Sequence, residues 1–95
     1  MNVNATMDLI LYSKPGCHLC EGLQQKLEQI TALNLTLEIR DITTQDDWFA
    51  AYQYEIPVLY WVTDAGQRRL PRVSPRGSVA QLERMLQTQQ QNSPQ

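Results

Sequence analysis

The chain has 95 residues, 42% of them hydrophobic and 19% charged, with a formal net charge of −2. That suffices for one small core but not two, and the balance of apolar and charged residues excludes a disordered chain. The slight acidity gives no reason to expect nucleic acid or an anionic membrane surface as a partner.

No run reaches the roughly 18 apolar residues that span a bilayer. The opening MNVNATMD has neither a basic nor an apolar signal region, so a cytoplasmic protein is expected. Residues 1–6 and the closing TQQQNSPQ of residues 88–95 are polar and unpatterned. They are expected to be flexible ends around one domain, residues 7–87.

Leu9-Ile10-Leu11-Tyr12 is a continuous apolar run, as in a central strand covered on both faces, and Ser13-Lys14-Pro15-Gly16 ends it with a turn signal. From Cys17 onward, Cys20, Leu23, Leu27 and Ile30 recur at helical spacing while Glu21, Gln24, Gln25 and Glu28 fall elsewhere. Leu35, Leu37 and Ile39 alternate with Thr36, Glu38 and Arg40, which predicts an edge strand with one buried face. Thr43 or Thr44, with Asp46 and Asp47 following, is expected to cap a short helix that carries Trp48, Ala51 and Tyr52 on one side.

After Pro57, Val58 to Val62 predicts a third strand, and Asp64-Ala65-Gly66 turns it into a fourth near Gln67 to Leu70. Val79, Leu82, Met85 and Leu86 predict a last helix, with Ser74-Pro75 as its cap and first position. The aromatic residues Trp48, Tyr52 and Tyr60 are assigned to core and rim, and Trp61 is expected to be partly exposed because its strand neighbours occupy the other face. The order β-α-β-α-β-β-α implies an α/β domain: a four-stranded mixed sheet with three helices, on both faces.

The chain has two cysteines, Cys17 and Cys20, where a structural disulfide framework uses more, spread along the sequence. A CxxC at the first turn of a helix sets its first thiol against unpaired backbone N–H groups and the positive end of the helix dipole, which favour thiolate. Cys17 is therefore the expected nucleophile. Cys20, three residues on and on the buried stripe, is placed to resolve a mixed disulfide. Lys14 and His18 add positive charge nearby and are expected to lower the Cys17 pKa below the ordinary value of about 8.5.

No metal is expected, since His18 and the two cysteines make three ligands and a closed zinc site needs four. An iron–sulfur cluster shared between two chains stays open as an alternative, as does a partner-binding module or a redox sensor without turnover.

LILYSKPGCHLC resembles the first strand and active-site loop of the glutaredoxins, including the tyrosine, serine, lysine, proline and CxxC. The resemblance implies a thioredoxin-like fold and a thiol–disulfide oxidoreductase acting by dithiol exchange on disulfide-bearing proteins or small thiols. It further implies a cis-proline, matched here by Ile56-Pro57, whose backbone meets substrate. Gly77 and Ser78 match the start of the last helix, where the family binds the γ-glutamyl end of glutathione. Two stretches depart from the glutathione-using pattern: Glu55-Ile56-Pro57 stands for Thr-Val-Pro, and Gly77-Ser78-Val79-Ala80-Gln81 lacks one glycine and two aspartates. The combination looks closer to a short glutaredoxin-like branch with a CHLC motif.

No tightly bound cofactor is expected, glutathione is a candidate co-substrate, and glutathione or a reductase is the expected electron donor to a monomer. Arg68, Arg69, Arg72 and Arg76 make a basic stretch in an acidic chain. It is either a solvated loop or, through Arg72 and Arg76, a binding place for the carboxylates of glutathione or an acidic partner.

Overall fold

A computed structural model describes residues 6–91. Strand β1 (Thr6–Ser13) is the axis of the molecule, as its unbroken apolar run requires. It pairs in parallel with β2 (Asn34–Asp41), Leu9 opposite Leu37, and antiparallel with β3 (Val58–Thr63), Leu11 opposite Leu59. A turn returns β3 as β4 (Gly66–Arg69), and the sheet order is β2-β1-β3-β4. The helices are α1 (His18–Glu28), α2 (Asp46–Tyr52) and α3 (Val79–Gln91), with a 3-10 turn at Ile42–Thr44. Fold class and element order are those expected of a thioredoxin-like domain.

The pleat sorts β1 between two layers. Met7, Leu9 and Leu11 face α1 and α3, where they meet Leu27, Leu82 and Leu86. Ile10 and Tyr12 face α2, with Ile42, Val58, Trp48 and Tyr52. In the second layer Tyr12 is the hub, its ring centroid 4.3 Å from Tyr52 and 5.7 Å from Trp48 and from Tyr60. The Tyr52 and Tyr60 hydroxyls share a hydrogen bond of 3.1 Å. Burial first, and that bond second, raise the Tyr52 hydroxyl well above the usual phenol range.

Several expectations are corrected. Trp61 lies opposite in face to Tyr60 and Val62, as alternation requires, but its face is the thicker one, so it is only 8% exposed, with the Arg68 guanidinium 5.7 Å above its ring. Neither Thr43 nor Thr44 caps α2: both belong to the 3-10 turn, which Asp41 caps by accepting from the Thr43 N–H at 2.9 Å, and Gln45 precedes α2. Ala51 is exposed. Ile30 is buried but lies beyond the end of α1.

At the ends, Thr6 already pairs with Asn34, and α3 runs on to Gln91 instead of stopping at Gln87. The flexibility expected of residues 1–5 and 92–95 falls outside the described residues. Among the described residues, no helix is long and apolar enough to cross a membrane.

Candidate functional site

The two cysteines are placed by the end of β1 and the start of α1. Between them and the strand, Gly16 takes φ +82°, a left-handed conformation that costs glycine little, and the Cys17 N–H donates to the Lys14 carbonyl at 3.1 Å to close the turn. Cys17 is itself the cap of α1. Its backbone is extended (φ −85°, ψ 105°), its carbonyl accepts from the Glu21 N–H at 3.0 Å, and its Sγ accepts from the Cys20 N–H at 3.2 Å. Sulfur thus occupies the position that a serine or aspartate oxygen takes in an ordinary N-cap.

Cys17 is partly exposed and Cys20 fully buried, and the pair is joined as a disulfide across a Cα–Cα distance of 5.3 Å. With the disulfide open, the N–H at Cys17 Sγ and the dipole of α1 act on the exposed sulfur, and both favour negative charge there.

The side chains of the two expected tuning residues, Lys14 and His18, are both exposed. The His18 side chain is 95% exposed, with Nδ1 3.8 Å from the Glu21 carboxylate. Lys14 is exposed and enters the site through its carbonyl.

The Ile56–Pro57 peptide bond is cis. Pro57 lines the surface beside His18 and Leu19, whereas the Ile56 side chain packs into the α2 layer and its N–H donates to the Tyr52 carbonyl at 3.1 Å. Just before them Glu55 is held twice. Arg69 donates to its carboxylate and Arg72 to its carbonyl, each at 2.6 Å. The bond to Glu55 raises the Arg69 guanidinium above its ordinary value. The carboxylate at this position therefore carries its own counter-charge from the neighbouring strand.

Beyond the cysteines a groove of about 610 Å³ runs between α1, α3 and the segment 70–78. Lys26, in the last turn of α1, donates to the Pro75 and Gly77 carbonyls at 2.7 Å each, which fixes the near wall. The start of α3 is a reciprocal cap: the Gln81 N–H donates to Ser78 Oγ at 3.1 Å, and the Ser78 N–H donates to Gln81 Oε1 at 2.8 Å. Ser74-Pro75 is thus not the cap. It opens a separate turn that the Gly77 N–H closes on the Ser74 carbonyl at 2.9 Å. The turn is close there: a Cβ at Gly77 would stand 3.0 Å from Gln81 Oε1 and 3.1 Å from the Ser74 carbonyl, so a side chain requires these neighbours to give by a few tenths of an ångström.

Gly77 and Ser78 line the groove, but the N–H groups of both are already paired inside the protein. Arg76 is exposed on the turn ahead of α3, outside the groove lining, and its N–H donates to Ser74 Oγ at 3.2 Å.

A profile described as Glutaredoxin-like domain (DUF836) matches residues 8–87. The chain belongs to this glutaredoxin-like family. The match runs from the third residue of β1 into α3, so the family covers all four strands apart from the first two residues of β1, together with the CxxC turn. No curated protein matches the chain. The family and the Cys17–Cys20 disulfide together fit a redox-type thioredoxin-fold protein.

Sequence reasoning overlooked Lys26, the capping role of Gln81 and the groove between α1 and α3. Gln81 had a legible signal, the Ser-x-x-Gln of a capping box at Ser78–Gln81. Lys26 had none, because its partners lie 49 and 51 residues away. Among the described residues, no cluster of three or more His, Cys, Asp or Glu side chains is arranged to hold a metal ion.

Proposed function

We propose that the protein is a thiol–disulfide oxidoreductase working by dithiol exchange. The observation that carries this reading is the unequal placement of the two sulfurs: Cys17 at the surface, accepting an N–H at the tip of α1, and Cys20 buried beside it. The Cys17 thiolate attacks one sulfur of a substrate disulfide, forming a mixed disulfide and expelling the other sulfur as a thiolate that takes up a proton. Cys20 then gives up its proton and attacks Cys17 Sγ, forming the Cys17–Cys20 disulfide and expelling the second substrate thiolate, which is protonated in turn. Two electrons and the Cys20 proton pass from protein to substrate, and solvent, which took the Cys17 proton when the thiolate formed, supplies the second proton.

A thiol donor, glutathione or the dithiol of a reductase, returns them. The reaction belongs in a reducing compartment such as the cytoplasm, in a monomer. Lys14 shapes the turn at Cys17 through its carbonyl, and Pro57 with the Ile56 carbonyl forms the ledge beside the reacting sulfurs. Gly77 and Ser78, which line the groove, flank the far side of the bound substrate.

Steady-state reduction of hydroxyethyl disulfide tests the reading, with glutathione, its reductase and NADPH in one assay and thioredoxin reductase in another. Turnover with either donor, abolished in Cys17→Ser, is expected; a single equivalent reduced per chain with both donors would instead make the protein a sensor.

A further inference from the structure

The groove beside the cysteines has a composition at odds with the chain as a whole. No aspartate or glutamate lines it, although the chain has ten acidic residues, while four of the eight lysines and arginines do: Lys26, Arg69, Arg72 and Arg84. Its floor is apolar, with Leu23, Leu82 and Met85. Such a surface is complementary to a ligand that combines an apolar side chain with carboxylates.

The length of the groove narrows the ligand further. Its α3 wall runs from Ser78 to Thr88, which at 1.5 Å per helical residue is about 15 Å, the span of about four or five residues of extended chain. The α1 wall is opened by Gly22. A glycine inside a helix costs about 1 kcal/mol relative to alanine, and no close packing requires it here, since an added Cβ would meet nothing within 4 Å. The empty volume at Gly22 belongs to the groove.

Where the carboxylates go also follows from the hydrogen bonds. The N–H groups of Gly77 and Ser78 and the hydroxyl of Ser78 are occupied internally, so the tip of α3 offers an anion little. Arg84 makes no ion pair among the described residues, and Arg72 uses one of its five N–H donors on the Glu55 carbonyl.

We propose that this groove binds an extended segment of a protein substrate, about four or five residues long, that carries an apolar side chain and acidic residues next to its reacting cysteine. The proposal rests on the oxidoreductase reading for the word substrate, but the binding itself does not require turnover.

The test uses two synthetic peptides, one with Leu and two Glu beside a cysteine and one with Lys in place of each Glu. Each is prepared as a mixed disulfide with nitrothiobenzoate for rates, and with serine for cysteine and a fluorescent label for binding. The Glu peptide is expected to be reduced with a kcat/KM at least about fivefold above its Lys counterpart, the size of two exposed ion pairs, and to bind more tightly in the serine form. Arg84→Glu should bring the ratio of the two peptides to one or below, and Gly22→Leu, which keeps a good helix former, should weaken binding of both.

Equal handling of the two peptides by the native protein, or a ratio unmoved in Arg84→Glu with undiminished binding in Gly22→Leu, would overturn the proposal. If the mixed disulfides are not reduced at all, the oxidoreductase reading fails, and binding of the serine peptides alone decides the groove.

Discussion

Lys26 Nζ and the Gly77 carbonyl are 2.7 Å apart, joining the last turn of α1 to the residue before the cap of α3. With a second bond from the same ammonium to the Pro75 carbonyl, one side chain holds the wall of the groove that runs away from Cys17. Hydrogen bonds from a charged donor are worth about 1.5–3 kcal/mol when shielded, and less where water competes, as on the Pro75 side. Lys26→Met, which keeps the aliphatic stem, is expected to lower stability by about 1 kcal/mol and to speed amide hydrogen exchange at Gly77 and its neighbours. Urea unfolding and exchange by NMR check the two halves; unchanged exchange would show that the wall stands without Lys26.

The reciprocal cap of Ser78 and Gln81 makes a prediction of its own. Ser78→Ala and Gln81→Ala should each cost about 1 kcal/mol in urea unfolding. Because the two residues form one hydrogen-bonded unit, the double variant should cost less than the sum. Strict additivity would mean that the bonds do not act as a pair.

Glu55 stands where the glutathione-using pattern has a threonine, and its partners give it a structural use. The ion pair with Arg69 is exposed, so Glu55→Gln should change stability by less than about 1 kcal/mol. Arg72 instead grips the backbone of Glu55, next to Ile56 and Pro57. Arg72→Ala is therefore expected to raise KM for disulfide substrates more than Glu55→Gln does, with the reverse order counting against a positioning role for the arginine.

Much of this was legible in the sequence because it rests on local pattern. The apolar run at Leu9 to Tyr12, the turn at Pro15-Gly16 and the helical spacing from Cys20 to Leu27 fix β1, its exit and α1, hence the place of the CxxC. The misreadings have a common cause. Trp61, the cap of α2 and the start of α3 were each decided by tertiary context: which sheet face is thicker, whether Asp41 captures Thr43 first, and whether Ser74 or Ser78 finds a reciprocal partner. His18 lies inside the motif, yet its side chain turns to solvent and Glu21, because neighbours in sequence on a helix surface do not share a face. The groove could not be read from spacing at all, since Gly22, Lys26 and Arg84 meet only through packing of α1 against α3.

In the proposed mechanism Cys17 attacks and Cys20 resolves. Intact mass after brief exposure of each single variant to a disulfide-bearing peptide tests it most directly. Cys20→Ser should accumulate one covalent peptide adduct, mapped to Cys17, while Cys17→Ser should acquire none on the same timescale. An adduct forming on Cys17→Ser as fast as on Cys20→Ser, or on neither, would contradict it.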